Sequence, residues 1–552
     1  MSDASVVWPQ AALTAVAELN AKIPADLRLP AEFIARYPPG SDVRGAPSAS
    51  GLLSPDELEI TSLDGDSVSL LDKIKRKDVT AVQVASAFCK RAAIAQQLLF
   101  CLTDFMMEDA LKRAAELDAW YESTGELVGP LHGTTSRRYE GDNMMVKGTK
   151  SGGGFLSDFA HPEAMQHGLT AQILYDAGAV FFAKTNLPQS IMHLETYSFW
   201  GQALNPINTG LTPGGSSGGS SALIAFGGST MGMGSDIGGS LRSPANACGI
   251  WTLKPTCLRL PKGAGNIPMP GADSILATWG PLCRSLRDLE LMFSVILGTS
   301  PWLKSPDLVP ILWSIPTNPT WSGSGNRLKV GVMWHDGVVL PQPPIRRALN
   351  ALVEALKQNE SIEVVDYVPF KHREASELAH QLYFIDGGAR IRAKAAETGE
   401  PVLPLTEWVL THSSVKEHTA HDIWELHDKR DALRAEYVKH FNTHNVDVVL
   451  CPAGAGPAPA LGTCKYWGYT NVWNFLDYPA AVFPTGLAVD PTIDVKDSAR
   501  QFMSAADEYN AACYEFETLR GAPLCLQLVS RRYTEELLIC ALRKISTMLP
   551  LK

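Results

Sequence analysis

Residues 212–256 read TPGGSSGGSSALIAFGGSTMGMGSDIGGSLRSPANACGIWTLKPT. A flexible linker does not look like this. Apolar runs such as ALIAFGG and CGIWTLKP break up the glycines and serines, and such runs belong in a packed interior. Gly-Gly-Ser occurs four times inside the segment, and two of these units, Gly214-Gly215-Ser216 and Gly238-Gly239-Ser240, carry the argument here. Glycine lets a backbone approach another group closely and adopt dihedrals that other residues avoid. Consecutive amides at Ile237, Gly238, Gly239 and Ser240 can converge on one anion, which is how an oxyanion hole is built. A serine closing such a loop is a candidate nucleophile, and it needs a base. Three blander readings compete. A phosphate cradle would require GxxxxGK[ST], which is absent. GGSSG fits the nucleophile-elbow pattern, but NPINTGLTPGG before it is a poor strand. A purely structural Gly/Ser loop does not account for a patterned stretch of this length.

The rest of the chain reads as an α/β protein. It has 552 residues, of which 45% are hydrophobic and 19% charged, enough for a large core. The formal net charge of −10 argues against nucleic acid as a partner. Ten scattered cysteines contain no CxxC pair, so reduced, packed thiols are expected rather than zinc or a redox motif. The start, MSDASVVWPQAALTAV, lacks the pattern of a secretory leader. No run of about eighteen apolar residues suggests a membrane span. A cytoplasmic protein without membrane contact is the expectation. Residues 1–50 read as an arm of short helices and irregular chain, and 51–552 as one domain. SVSLLDKIKRKD, TAVQVASAFCKRAAIAQQLL (Thr80 as N-cap) and MEDALKRAAELDAWYES have helical spacing. AVFFAKT, RLKVGVMW, VDVVLCPAG and GAPLCLQLVS read as strands. Their alternation with helices predicts a mostly parallel or mixed sheet covered by helices.

The 212–256 segment closely resembles the signature of the amidase signature family. The resemblance extends through FCKRAAIAQQL, GPLHG, AKTNLPQ, LNPIN, LKPT and GAPLCLQLVSRR, in the order found in the fungal acetamidase branch. It implies the amidase-signature fold, a central mixed β-sheet covered by helices on both faces. It also implies hydrolysis of a small or medium carboxamide through a Ser–cis-Ser–Lys triad, without cofactor or metal. By motif position Ser240 matches the nucleophile and Ser216 the bridging serine that follows a cis peptide bond. The backbone from Ile237 to Ser240 matches the oxyanion hole. Asp236, Arg242 and Ser217 match supporting positions. Members of the family often form homodimers, which remains one open assembly here.

One stretch departs from the pattern. Residues 127–150, LVGPLHGTTSRRYEGDNMMVKGTK, begin like their counterparts in relatives. There an apolar strand follows and ends in Lys-Asp. Here the strand is replaced by TTSRRYEG; Asp142 falls on the family's aspartate and Gly141 on its lysine. That lysine must be neutral to act as a base, and burial makes it so. Three explanations stay open. The chain is a catalytically impaired or repurposed homologue. Another residue supplies the base, with Lys147, Lys150, Lys184, Arg137 and Arg138 to consider, although arginine stays protonated. Or a short out-of-frame segment occupies 134–141. Three further features have plainer readings. His418, His421 and His427 lie on one helical stretch, where a solvated face outweighs a metal site. The tryptophans of 300–326 suit a core edge more than a substrate funnel. Cys248 has no evident activating partner and reads as packing.

Overall fold

The computed structural model describes residues 6–134, 144–497 and 499–551. Its centre is an eight-stranded sheet. In chain order the strands are β1 (Met231–Asp236), β2 (Trp251–Lys254), β3 (Thr278–Cys283), β4 (Leu328–Val332), β5 (Ile362–Asp366), β6 (Val448–Pro452), β7 (Ala480–Ala488) and β8 (Pro523–Val529). Their spatial order is β1-β3-β2-β7-β8-β6-β4-β5. The β4–β5 and β4–β6 pairs are parallel and the other five antiparallel. This is the mixed α/β architecture expected of the amidase-signature fold.

The inner strands read as apolar runs because both of their faces are buried. Side chains alternate along a strand. In β8, Leu524, Leu526 and Leu528 enter one core cluster, while Cys525 and Val529 enter clusters on the other side. In β6, Val448 and Leu450 pack with the first group, and Val449 and Cys451 with the second. The first face is covered by helices such as Pro343–Lys357, whose Ile345, Leu349, Leu352 and Leu356 are buried in the same cluster. The second face carries most of the elements that build the site.

Four helices, α2 to α5, build or support the site, and α1 packs beside them. Helix α1 (Ala81–Leu99) begins at Thr80, whose hydroxyl accepts from the Gln83 amide while the Gln83 side chain accepts from the Thr80 amide. This reciprocal cap satisfies two otherwise orphaned donors. Helix α2 (Gly218–Phe226) is buried throughout and α3 (Arg242–Cys248) nearly so. Helices α4 (His372–Tyr383) and α5 (Gly468–Phe475) pack against each other on the second face. Residues 10–50 form short helices whose Leu19, Ile23, Phe33 and Val43 share a cluster with α1. The tryptophans of 300–326 sit at a core edge. Trp321 is buried, Trp302 and Trp313 pack on the cluster, and Trp313 stacks on Phe293 at 5.0 Å between ring centroids. No helix among the described residues is long and apolar enough to cross a membrane.

Candidate active site

Both Gly-Gly-Ser units lie where a strand or loop meets a helix on the second face of the sheet. The first ends at α2. No strand leads directly into it, which removes the nucleophile-elbow alternative. The Gly215–Ser216 peptide bond is cis. Gly215 lies so close to residues 193–195 that an added Cβ would stand 2.6 Å from both the Glu195 nitrogen and the His193 oxygen, so no larger residue fits. Ser216 is fully buried.

The second unit follows β1. The strand delivers Asp236, the chain turns through Ile237-Gly238-Gly239-Ser240, and α3 begins at Arg242. Ser217 joins the two units: its amide and hydroxyl both donate to the Ser240 carbonyl, at 3.1 and 2.5 Å. Ser240 is 4% exposed and opens onto a cavity of about 150 Å³. Ile191, Met192, Ile237, Met269 and Trp279 give this cavity an apolar wall, and Lys262 and Asp273 place charge on it.

Asp236 organises the loop. Its carboxylate accepts from the Gly239 amide at 2.8 Å, the Leu241 amide at 3.2 Å, and Arg242 through Nε and Nη2, both at 3.0 Å. Asn474 of α5 adds a donor at 2.8 Å. Burial alone would raise this carboxyl, but the Arg242 charge and the converging donors hold it below the usual carboxylate range. Arg242 in turn donates to Gln527 in β8 at 3.0 Å and to Asn474 at 2.6 Å.

Of the four amides expected to converge, that of Gly239 donates to Asp236. No described group accepts from the N–H groups of Ile237, Gly238 or Ser240. Gly239 has φ +134°, and a Cβ there would stand 2.3 Å from Thr470 Oγ1. Glycine is the residue this turn admits.

The alternative bases are distributed as follows. Gly141, Asp142, Arg137 and Arg138 lie outside the described residues. Lys147 is exposed, and Lys150 donates to the Phe159 carbonyl at 2.6 Å near the surface. Lys184 is 1% exposed. Its ammonium donates to the Met144 carbonyl at 3.3 Å, to Ser151 Oγ at 3.2 Å and to the Lys150 carbonyl.

The remaining candidates are placed elsewhere. His427 contacts Ser274 Oγ at 3.0 Å and His421 faces Glu425. No group of three potential metal ligands occurs among the described residues. Cys248 is buried with its thiol near the Pro213 carbonyl, and burial pushes it up to about 12. All ten cysteines are free thiols. The sequence reading did not anticipate Asn474, Gln527, Thr470 or Tyr383. Gln527 alone leaves a trace, as a polar residue inside an apolar strand.

With this geometry in view, the comparisons with known proteins agree. A model of the Amidase family matches residues 83–539. A chain of Schizosaccharomyces pombe is 42% identical over 549 residues, 99% of this chain and 100% of that one. The acetamidase of Emericella nidulans is 32% identical over 551 residues, 98% of each. Among solved structures, a fatty acid amide hydrolase superposes with a TM-score of 0.91 at 32% identity, covering 98% of this chain and 95% of the other.

Proposed function

Because the chain belongs to the amidase family, whose members hydrolyse amides, we propose that Ser240 is the nucleophile of a carboxamide hydrolase. The observation that carries this reading is the pairing, beside one cavity, of Ser240 with amides at Ile237, Gly238 and Ser240 that no described group engages. Ser240 Oγ attacks the substrate carbonyl carbon and its proton passes to Ser216. The tetrahedral oxyanion accepts from the three amides, which are fixed before the charge develops and so need no reorganisation. Collapse expels the amine with a proton. Water then attacks the acyl-enzyme, releases the carboxylic acid and restores Ser240. The apolar wall suits a substrate with an apolar group next to the amide, and the acetamidase and fatty acid amide hydrolase relatives are named for amide substrates. No step requires a cofactor.

The proton that Ser216 passes on needs an acceptor. By sequence the family's lysine position falls on Gly141, which has no side chain, and Lys147 and Lys150 are exposed. That observation supports a second reading, in which Ser240 captures or binds an amide without efficient turnover. A panel of amides, including acetamide and benzamide, separates the two. The protein is assayed beside Ser240→Ala and Gly141→Lys, with a fluorophosphonate probe reporting on Ser240. Turnover that Ser240→Ala abolishes, by at least about 1000-fold, upholds the hydrolase. No turnover with retained labelling favours the second reading. Turnover that survives Ser240→Ala sinks both.

A further inference from the structure

An oxyanion hole made of backbone amides works only if each peptide plane faces the right way. In a trans peptide the C=O and the following N–H point in opposite directions. Whatever holds a carbonyl on one side therefore aims the next amide to the other. The planes of this loop are held in that manner, by residues distant in sequence. The Asp236 carbonyl accepts from Asn474 Nδ2 at 3.3 Å, the Ile237 carbonyl from the Tyr383 hydroxyl at 2.6 Å, and the Gly238 carbonyl from Thr470 Oγ1 at 2.7 Å. The Gly239 carbonyl accepts from the Ser243 amide at 2.7 Å.

These clamps have different consequences. The Thr470 clamp directs the Gly239 amide onto Asp236, where it already has a partner. The Tyr383 clamp directs the Gly238 amide away from α4, and no described group accepts from it. Asp236 and Arg242 restrain Gly239 and the residues after it, but neither touches the plane between Ile237 and Gly238. Ile237 on one side of that plane packs its side chain on the second-face cluster, which does not itself set the direction of its carbonyl. Gly238 has no side chain, and no other hydrogen bond to the Ile237 carbonyl is present among the described residues. Tyr383 is itself held rigidly. It is 3% exposed at the end of α4, with Phe384, His380 and Trp467 rings around it at 6.3, 6.3 and 6.4 Å.

We propose that Tyr383 is a positioning residue of the amide-hydrolysing site: its hydroxyl, by holding the Ile237 carbonyl, aims the Gly238 amide at the oxyanion. The proposal rests on the hydrolase reading above. Tyr383 is not among the residues that line the cavity at Ser240. Its contribution appears only when charge develops on the substrate oxygen, so it belongs to the chemical step and not to ground-state binding.

The test is Tyr383→Phe, which deletes one oxygen and keeps the ring packing. Removing an oxyanion donor outright costs about 100- to 1000-fold in kcat. Loss of aim is expected to lower kcat by about tenfold or more with KM within about twofold, and to slow phosphonylation of Ser240 in parallel. Rates are compared at a temperature where circular dichroism shows the variant fully folded, so that lost stability is not mistaken for lost catalysis. An unchanged kcat, or a change confined to KM, overturns the proposal and leaves the hydrolase reading intact. If the parent hydrolyses no amide, the hydrolase reading fails and the phosphonylation rates decide. A variant labelled about tenfold more slowly than the parent supports the role of Tyr383. Equal rates, or a parent that is not labelled, overturn it.

Discussion

At the scale of single residues, Asp236 is the point on which the loop turns. It is fully buried, yet its carboxylate stays charged because Arg242, Asn474 and two backbone amides surround it. Asp236→Asn would leave the Arg242 guanidinium buried without a counter-charge. Breaking a buried pair in this way costs about 3–5 kcal/mol, which urea denaturation would read directly; amide hydrolysis should fall with it, because the Gly239 and Leu241 amides lose their anchor. A variant as stable as the parent would show that Asn474 and Gln527 hold the guanidinium without the carboxylate. The Asp236–Arg242 pair is legible from sequence because its members stand on either side of one loop. The clamps of the carbonyls are not. Tyr383, Thr470 and Asn474 are ordinary helix residues until tertiary packing brings α4 and α5 against the end of β1.

Elements differ in how much of their role can be read in advance. Helix α1 carries its own start signal in Thr80 and Gln83, and the structure uses both. Thr80→Ala should cost about 1 kcal/mol of stability without altering phosphonylation of Ser240, since the cap lies at the far end of a helix that supplies no site residue; a change in labelling would reveal coupling that these contacts do not predict. The strands VDVVLCPAG and GAPLCLQLVS are recognisable because burial on both faces makes them nearly continuous apolar runs. Their partners are not. The sequence reading expects a mostly parallel or mixed sheet, and the sheet is mixed, with two parallel and five antiparallel pairings. Pairing depends on which neighbour each strand meets, and a chain's local pattern does not record that. The stretch around Gly141, where the sequence departs from the pattern of the resemblance, lies outside the described residues.

At the scale of the whole molecule, buried ionisable groups set how stability responds to pH. Burial raises Glu195 to about 7, against the lowering effect of the Gly462 and Cys464 amides it accepts at 2.9 and 3.0 Å. An unfolded glutamate titrates near 4.5. Between these values the folded protein keeps a proton that the unfolded chain has lost. The contribution of Glu195 to stability is therefore greatest below about 4.5, falls as pH rises, and is fully lost above about 7. Glu195→Gln removes this term. The variant should gain on the parent by a few kcal/mol across that interval, at about 1.4 kcal/mol per pH unit, whatever constant offset the substitution adds. Chemical denaturation at several pH values measures the slope; parallel curves would show that Glu195 ionises normally. Buried histidines act in the opposite sense. Burial lowers His193 and His372 to about 3, so their contribution is lost as pH falls below about 6.5.

The path of the chain through the site also has a consequence in time. Ser240 and its loop are made early, whereas the residues that clamp them, Tyr383, Thr470, Asn474 and Gln527, are spread through the second half of the sequence. At roughly 5–20 residues per second, a ribosome needs on the order of 10–50 seconds to pass from Ser240 to Asn474. Throughout that interval the nascent chain carries the serine without the framework that orients its amides. The serine is thus made well before its framework, and the loop acquires its clamps only after Asn474 has been added.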